Sequence, residues 1–391
     1  MNILFIATYP EMTGATNSLI GLVRELKKLN YNPIVILKSK GYLTEKLNEI
    51  KIKYYIINYY DNTIGENELG NFKHFFKFIL KKTINNIANT KVKSIILKDK
   101  IDILHINAST VNVGYKAAKS LGIPIVWHIR EFLEADHKIR LIEPKKSINE
   151  IREAVKVIAI SNSVKEKYSG VVNNTKLVTV FNGVDSKTLE TLEKKTINIK
   201  KIQIGIVGRI SPSKGQLEVI KAFGELKEKG YNNIFLNIIG PTHDKKYQSE
   251  LTQYVKKNFL GKYVSLKGPK HSVEEIWGNL DIVIIASGAE AFGRVTIEAM
   301  LANKISIGAN VAGTQEIFKF VKSNLLYESH NHLSLLNCIE KVLKNIKYYS
   351  LETNRIKNIV LENFTAEINA KNISLIYEDI SKEMKEQTAI R

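Results

Sequence analysis

The chain has 391 residues, of which 58 are Lys or Arg and 39 are Asp or Glu, so its formal net charge is +19. At roughly 100–200 residues per domain this length predicts two domains. The 44% of hydrophobic residues is typical of a globular protein and excludes a disordered or collagen-like chain. Cys338 is the only cysteine, which excludes an intrachain disulfide. We therefore expect a cytoplasmic protein whose positive charge attracts nucleic acid, phospholipid headgroups or a phosphorylated substrate.

The chain opens with a short apolar run, residues 3–7, with no Lys or Arg before it. This run is too short for the core of a signal peptide and is predicted to be a buried strand. No stretch of the sequence approaches the roughly 18 consecutive apolar residues that a membrane-spanning helix requires. We expect a protein that does not cross a membrane.

Two series of short apolar runs alternate with longer amphipathic segments, as in βαβ units around parallel sheets. The first series comprises residues 3–7, 34–37, 54–57, 101–106, 123–129, 155–160 and 177–180. The second comprises residues 202–207, 234–239, 263–266, 281–286 and 305–307. The sequence thus predicts an α/β protein with two doubly wound, Rossmann-like domains facing a central cleft, with ligands beyond the carboxyl ends of the strands.

The domain boundaries are predicted from the polar segments and from the tail. The stretch 185–200 has no strand pattern and is predicted to connect the domains. The tail is predicted to be a helix that covers an apolar surface with the stripe Ile373, Ile376, Tyr377, Ile380 and Met384. The predicted parts are therefore a first domain, a second domain and a terminal helix that packs back toward the first, at 1–184, 185–363 and 364–391.

The most informative loop follows the predicted strand that ends at Ala286. Gly288 and Gly293 flank this loop, and a helix is predicted to start after it. A helix start offers unpaired N–H groups and partial positive charge, which suit a phosphate. Glu290 precedes the helix and Glu298 lies about a turn inside it, so both can face one crevice. A single Glu is more often a solvated surface residue, but the apolar residues after Glu298 favour a carboxylate that needs a partner, such as two sugar hydroxyls.

A second loop follows the predicted strand 202–207. Arg209 and Lys214 lie between Gly208 and Gly215, where another helix is predicted to begin. Arg can hold a phosphate through two hydrogen bonds, whereas Lys supplies a point charge. The pair indicates a phosphate ligand, and the alternative is two ordinary surface cations.

Two further positions lie after strands of the first series. Gly14 permits close backbone approach, and Thr16 is predicted to cap or line the same loop, although an ordinary turn is the commoner reason for such a glycine. His128 lies at the end of its strand, where a histidine is more often a structural hydrogen-bond partner. Arg130 and Glu131 follow it, and they either pair with each other or meet a substrate.

These motifs together resemble one known family. Glu290 and Glu298, in an E-x-F-G-x-x-x-x-E-A-M setting, are similar to the signature of retaining glycosyltransferases of family 4, the group 1 glycosyl transferases. Segments 161–165, 181–185 and 207–216 resemble further markers of that family in the same order, and the resemblance covers most of residues 1–320. It implies the GT-B fold and a nucleotide-diphosphate sugar as donor, specifically a UDP-sugar.

The resemblance also implies a role for each site residue. Glu290 would bind sugar hydroxyls and support the oxocarbenium-like charge, His128 would contact the donor sugar, and Glu298 would bind the ribose. The other donor-binding residues would be Gly14, Arg209, Lys214, Gly268, Pro269, Phe292, Gly293, Arg294 and Val295. Retention in this family is usually assigned to front-face attack, in which the leaving phosphate oxygen accepts the acceptor's proton. We therefore expect no separate protein base, no metal and no cofactor.

The segment 71–98 carries seven lysines and no acidic residue. Aromatic and apolar residues recur in it at helical spacing, at Phe72, Phe75, Phe76, Ile79, Thr83 and Ile87. This pattern is typical of an interfacial helix on anionic phospholipid, and the alternative is a stripe that packs on the first domain. We expect peripheral attachment to the inner face of the cell membrane, where a lipid-linked acceptor would approach.

The sequence as a whole predicts an enzyme of bacterial surface polysaccharide synthesis that transfers a sugar to a glycan or lipid-linked glycan. One alternative with the same fold is a sugar-nucleotide 2-epimerase. The other is a basic nucleic-acid-binding protein, which the lack of zinc-binding spacing and of a recognisable RNA-binding motif argues against. We expect no nucleic acid among the partners.

Overall fold

The computed structural model describes residues 1–65, 72–133, 139–242 and 244–390, without the side chains of 65, 72–78 and 387–390. The chain divides into two compact units. One unit consists of Met1–Val184 with Ala366–Arg391, and the other consists of Asp185–Thr365.

The first unit is built on a parallel sheet of seven strands. Its strands are β1 (Asn2–Ile6), β2 (Asn32–Leu37), β3 (Lys53–Ile56), β5 (Ile103–Ile106), β6 (Ile125–Ile129), β8 (Lys156–Ala159) and β9 (Leu177–Thr179). Their order in the sheet is β3-β2-β1-β5-β6-β8-β9. Since β1 pairs with both β2 and β5, the chain order reverses beside β1. A reversal of this kind opens a crevice at the carboxyl ends of the strands.

The helices of the first unit connect these strands. They are α1 (Gly14–Lys28), α2 (Tyr42–Glu49), α3 (Phe72–Lys98), α4 (Tyr115–Ser120), α5 (Pro144–Glu153), α6 (Asn162–Ser169) and, at the end of the chain, α15 (Ala366–Ile390). Nearly every residue of β1 and β6 is buried, so both faces of these strands are covered, which explains why their sequences are continuous apolar runs instead of alternating ones.

The second unit repeats this plan with six parallel strands. They are β10 (Ile202–Val207), β11 (Ile234–Ile239), β12 (Val264–Gly268), β13 (Ile282–Ile285), β14 (Ile305–Ala309) and β15 (Leu326–Tyr327), in the order β12-β11-β10-β13-β14-β15. Its helices are α7 (Lys187–Glu190), α8 (Gln216–Glu228), α9 (Lys245–Lys257), α10 (Val273–Trp277), α11 (Arg294–Leu301), α12 (Ala312–Phe320), α13 (His332–Lys344) and α14 (Ile346–Asn363). The chain order reverses beside β10, which lies between β11 and β13.

Every apolar run predicted as a strand is a strand, with its ends shifted by at most a few residues. The prediction missed β15 and a small antiparallel pair, β4 (Thr63–Gly65) with β7 (Ile139–Leu141). These three strands have only two or three residues each, too few for an apolar run to stand out from its neighbours. The doubly wound α/β fold predicted for each unit is confirmed.

The terminal helix α15 belongs to the first unit and packs on α1. It begins at Ala366, whereas the sequence predicted a start at residue 364. Phe364 belongs to the second unit, where its ring packs against that of Phe292, with ring centroids 6.1 Å apart. From the predicted stripe, Ile373 and Tyr377 are buried in the core of the first unit, and Met384 is 40% exposed.

Replacement of Ile373 by alanine tests how much α15 contributes to the first unit. Because the Ile373 side chain is fully buried, we expect Ile373→Ala to lower the free energy of unfolding by about 2–5 kcal/mol, measured by urea denaturation. Leu375 on the same helix is half exposed, so Leu375→Ala should change it by no more than about 0.5 kcal/mol. Equal effects of the two substitutions would contradict the packing of α15 described above.

Candidate active site

Three glycines lie at the carboxyl ends of neighbouring strands of the second unit's sheet: Gly208 follows β10, Gly240 follows β11 and Gly268 is the last residue of β12. Gly208, Gly240 and Gly268 have φ angles of 141°, 149° and 66°. The Gly240 N–H donates to the Gly268 carbonyl at 2.9 Å. A Cβ on Gly240 would lie 2.0 Å from the Gly208 carbonyl oxygen. The loops after β10 and β11 and the end of β12 therefore meet through backbone alone. A Cβ on Gly208 or Gly268 would have no atom within 4 Å, so space remains open beside these two glycines. The sequence analysis missed Gly240, although it follows β11 as Gly208 follows β10.

Gly215 brings the loop after β10 against the end of β13. A short 3-10 helix, Pro212–Lys214, precedes it, and Gly215 has a left-handed φ of 71°. A Cβ at this position would lie 2.3 Å from the Ala286 carbonyl oxygen. The Gly288 N–H also donates to the Ser213 carbonyl at 3.1 Å. This close contact places the two loops that carry the predicted site residues side by side.

Lys214 and Glu290 meet where these loops touch. The Lys214 ammonium donates to Glu290 Oε2 at 2.7 Å and to the Ser287 hydroxyl at 3.2 Å. Both side chains are only about a quarter exposed, at 26% and 23%. Arg209, by contrast, is exposed, and its guanidinium forms no ion pair or hydrogen bond with any residue in the described ranges. The site therefore combines one cation held by a carboxylate with one available to a ligand.

The start of α11 lies in the same loop. Gly293 precedes it with a φ of 97°, and Gly313 packs so closely that a Cβ there would lie 2.5 Å from the Phe292 carbonyl oxygen. The Gly313 N–H donates to the Glu290 carbonyl at 2.9 Å, which fixes the backbone that carries this carboxylate. Because the Phe292 ring is buried, any contact of this residue with a ligand would come from its backbone. The Gly293 carbonyl accepts from the Thr296 N–H at 3.0 Å, and the partial positive charge of the helix start suits an anion.

Glu298 has an intrahelical partner that the sequence analysis did not foresee. Arg294 Nη2 donates to Glu298 Oε1 at 3.0 Å, one turn apart on α11. Val295 lies beside them on the same turn and is half-buried. A ribose bound to Glu298 would therefore share the carboxylate with Arg294. Pro269, the last of the predicted donor residues in this unit, is exposed directly after β12.

His128 belongs to the first unit and is completely buried on β6. Its Nδ1 lies 3.1 Å from His105 Nε2 and 3.3 Å from Arg130 Nη2, and His105 Nδ1 lies 2.6 Å from the Tyr377 hydroxyl on α15. Burial, followed by the charge of Arg130, lowers the pKa of His128 well below its usual value. The ring is therefore neutral at physiological pH.

The neighbours of His128 also determine which nitrogen carries its proton. A guanidinium can only donate, so Nδ1 of His128 is the acceptor of the Arg130 N–H. The proton of the neutral ring then lies on Nε2, which is buried without a hydrogen-bond partner among the described residues. His128 thus holds one buried N–H group whose hydrogen-bonding capacity no described residue satisfies.

Arg130 and Glu131, left open by the sequence analysis, both have partners within the first unit. Arg130 donates to Asn107 through Nε and Nη2 at 3.0 and 2.8 Å, and to Asn182 at 2.5 Å. Glu131 accepts from the N–H and hydroxyl of Ser109 at 3.2 and 2.8 Å. Two buried charged side chains beside His128 are therefore held by several hydrogen bonds.

Gly14 is exposed at the first position of α1. The cap of this helix is Thr13, whose side chain accepts from the Thr16 N–H at 3.2 Å. Thr16 itself is buried and donates to the Glu11 carbonyl at 2.8 Å, so it fastens the loop and does not cap the helix. In the described part of the chain, no three His, Cys, Asp or Glu side chains are grouped as metal ligands.

Replacement of Gly215 by alanine tests the contact between the two loops. A methyl group there would overlap the Ala286 carbonyl, so Gly215→Ala should separate Lys214 from Glu290. We expect it to weaken binding of the nucleotide predicted for this site at least about tenfold, measured by calorimetry with UDP as the probe. Gly230 is the matched control, since its φ of 90° is similarly strained but no atom lies within 4 Å of its Cβ position. Gly230→Ala should cost about 1–2 kcal/mol of stability and leave the affinity unchanged. Unchanged UDP affinity in Gly215→Ala would contradict the role given to this contact.

Comparison with known proteins identifies the family. Residues 188–358 match the family described as glycosyl transferases group 1, and residues 12–188 match glycosyltransferase family 4. Among solved structures, the chain is similar to the Anabaena protein HepE in complex with UDP, with a TM-score of 0.78 and 18% identity over 97% of this chain and 100% of that one. That likeness confirms the GT-B fold.

Two curated relatives are similar over part of the chain. The Staphylococcus aureus capsular polysaccharide biosynthesis glycosyltransferase CapM is 26% identical, over 59% of this chain and 63% of its own length. The Bacillus anthracis N-acetyl-alpha-D-glucosaminyl L-malate synthase is 24% identical, over 76% of this chain and 79% of its own. With both of its units matched in sequence and the whole fold matched in structure, this chain belongs to the group 1 glycosyl transferases of family 4.

Proposed function

We propose that this protein is a retaining, metal-independent glycosyltransferase that transfers a sugar from a UDP-sugar to a glycan or lipid-linked glycan in bacterial surface polysaccharide synthesis. The observation that carries this proposal is the contact of Lys214 with Glu290 beside the start of α11. It joins a phosphate-binding cation to a carboxylate that suits sugar hydroxyls. UDP in the HepE complex and the capsular role named for CapM support the donor and the pathway class.

In this proposal the diphosphate binds at the carboxyl edge of the second unit's sheet. Arg209, Lys214 and the first N–H groups of α11 surround it, with the Gly208 and Gly268 backbones leaving room for the nucleotide. Negative charge builds on the diphosphate as the glycosidic bond breaks, and donors already in position stabilise that charge without reorganisation. Each charged hydrogen bond contributes about 1.5–3 kcal/mol, so the site can supply this stabilisation with its own cations.

Glu290 and His128 would act on the sugar. Glu290 binds the hydroxyls, and its negative charge supports the positive charge that develops at the anomeric carbon. His128 donates its Nε2 hydrogen to a sugar oxygen, as its neutral state allows. The acceptor attacks from the side of the leaving phosphate, and a phosphate oxygen takes its proton, so configuration is retained without a protein base.

Substitution of the two glutamates separates their roles. Glu290→Gln keeps the size of the side chain but removes the charge beside the reacting sugar, so kcat should fall by about 100-fold with little change in nucleotide affinity. Glu298→Ala should weaken nucleotide affinity about tenfold with a smaller effect on kcat. Steady-state kinetics and UDP calorimetry on both variants measure this division. Unaltered transfer by both folded variants would reject the proposal, and an epimer formed from the UDP-sugar alone would favour the 2-epimerase.

Activity should survive removal of divalent metals. Because Arg209, Lys214 and the helix start already bring positive charge to the diphosphate, we expect EDTA to leave the rate of transfer nearly unchanged. The rate is measured before and after treatment, and again after addition of Mg²⁺ or Mn²⁺. A rate abolished by EDTA and restored by either metal would contradict metal independence.

The acceptor side of the proposal includes attachment to an anionic membrane through α3. None of the helices in the described ranges is long and apolar enough to span a bilayer. From the predicted apolar stripe, Ile79 and Ile87 are 45% and 54% exposed, and the neighbouring Leu80 is 56% exposed. Phe72, Phe75 and Phe76 lie outside the described side chains. The opposite face of α3 is buried in the first unit at Ala88, Val92 and Ile96. The described part of the stripe is thus uncovered, as membrane contact requires, and Lys81 and Lys82 follow Ile79 and Leu80 on the helix.

Binding to liposomes tests this contact. The protein should sediment with vesicles that contain phosphatidylglycerol, because each nearby lysine contributes about 1 kcal/mol at an anionic surface, and high salt should release it. Lys73/Lys77/Lys81/Lys82→Glu should abolish sedimentation, and Ile79/Ile87→Ser should weaken it. The matched control is Leu375→Ser, an exposed leucine on α15, which should sediment as the wild type does. Equal binding to purely zwitterionic vesicles would reject the membrane contact and favour a soluble acceptor.

A further inference from the structure

A polar cavity of about 870 Å³, separate from the residues assigned to the donor, lies on one face of the second unit's sheet. Residues that directly precede strands line it, among them Lys201 before β10, Asp281 before β13 and Lys304 before β14, together with one face of β11 and β12. None of the residues assigned to the donor lines this cavity. The cavity extends to Lys267 and Lys270, on either side of Gly268 and Pro269, but Lys304 lies at the amino end of β14, on the edge of the sheet opposite the donor site. The cavity volume is within the range of roughly 300–1,000 Å³ that is usual for small-molecule sites.

The charge of the cavity is strongly positive. Seven lysines line it, against the two carboxylates Glu275 and Asp281. Asp281 is partly committed, since its Oδ2 accepts the Gln203 N–H at 2.8 Å. Glu275 forms an ion pair of 3.5 Å with Lys270. The remaining cations exceed the available carboxylates, so the cavity favours an anionic ligand.

Lys304 is the most unusual of these lysines because its side chain is buried, with 7% exposure. Its ammonium makes no hydrogen bond or ion pair with any residue in the described part of the chain. Burial lowers its pKa to about 8, Asp281 opposes this shift, and Lys195 adds to it by repulsion. Buried charges are ordinarily paired. A lysine that lacks such a pair and lies near a second cation is poised for an anion between them.

Asn303, the preceding residue, also lines the cavity and has an unsatisfied group. Its Oδ1 is buried and has no hydrogen-bond donor among the described residues. The backbone adopts a left-handed φ of 56° at this position. A buried amide oxygen would repel an anion but accept from a hydroxyl. Asn303 thus lacks a hydrogen-bond donor, such as a hydroxyl, and its neighbour Lys304 lacks an anionic oxygen. One ligand could supply both groups.

We propose that this cavity binds a small molecule that carries a phosphate group beside free hydroxyls, with the phosphate at Lys304 and Lys195 and a hydroxyl at Asn303. A sugar phosphate and a nucleoside monophosphate both have this chemistry. Lys195 is already anchored in a suitable position, since its ammonium donates to the Gly278 carbonyl at 3.1 Å and keeps further donors for the ligand. The site is independent of the glycosyltransferase mechanism proposed above, because it uses none of the same residues.

Calorimetry with the full-length protein tests this site, using glucose 6-phosphate, AMP, inorganic phosphate and glucose as probes. We expect at least one of the two phosphate esters to bind at least tenfold more tightly than inorganic phosphate, and glucose not to bind. If glucose 6-phosphate binds more tightly than AMP, the ligand is a sugar phosphate. If AMP binds more tightly, the ligand is a nucleoside monophosphate. Equal affinity for inorganic phosphate would overturn the role given to the hydroxyl and Asn303.

Variants locate the binding. Lys304→Met should weaken binding of the ester at least tenfold, and Lys195→Met should weaken it as well. Lys257→Met is the matched control, since this exposed lysine at the end of α9 does not line the cavity, and it should bind as the wild type does. Lys214→Met, which alters the donor site, should also leave binding of the ester intact. Absence of ester binding, or binding lost in Lys214→Met and kept in folded Lys304→Met and Lys195→Met, would overturn the proposal.

Discussion

The contact of the Gly215 backbone with the Ala286 carbonyl is the constraint on which the rest of the candidate donor site depends. It permits no side chain at Gly215, since a Cβ would lie 2.3 Å from that oxygen. Because the loops after β10 and β13 meet there, Lys214 reaches Glu290, and the start of α11 lies beside both. The charges of the site are thus positioned by backbone packing. A similar backbone contact joins the loops after β10 and β11, where Gly240 packs against the Gly208 carbonyl and a Cβ on Gly240 would not fit.

The first unit reaches its own chemical arrangement by a different route, through buried polar side chains. Tyr377, His105 and His128 form a chain of hydrogen bonds through the core, and Arg130 donates to the last of them. Burying so many polar groups is costly unless each is satisfied. Nε2 of His128 is the one polar atom of this chain that has no partner among the described residues. The terminal helix α15 contributes to this arrangement as well as to the apolar core, because it carries Tyr377.

The two cationic regions of the second unit differ in how their charge is balanced. Lys214 has a carboxylate within 2.7 Å, and Arg294 has one within 3.0 Å, so their positive charge is largely offset until a ligand arrives. Lys304 is more deeply buried than either and has only the longer-range attraction of Asp281. An ion pair near the surface contributes little to stability and can exchange partners readily. A buried lysine without such a pair is instead a cost to the fold that a ligand can remove.

The sequence by itself determined the fold class and the position of the donor loops. Long apolar runs, flanked by amphipathic segments, report burial on both faces of a parallel sheet, and this depends on each segment alone. Glycines and charged residues directly after those runs then had to lie at the carboxyl edge. The tertiary structure alone decided which side chains meet. The pairing of Glu298 with Arg294, the contact of Lys214 with Glu290, the neutral state of His128 and the isolation of Lys304 depend on distances and burial that local patterns do not encode. The sequence analysis did not predict β4, β7 and β15 for a related reason. Strands of two or three residues are stabilised by their neighbours in space, and they are too short to show an apolar pattern in the sequence.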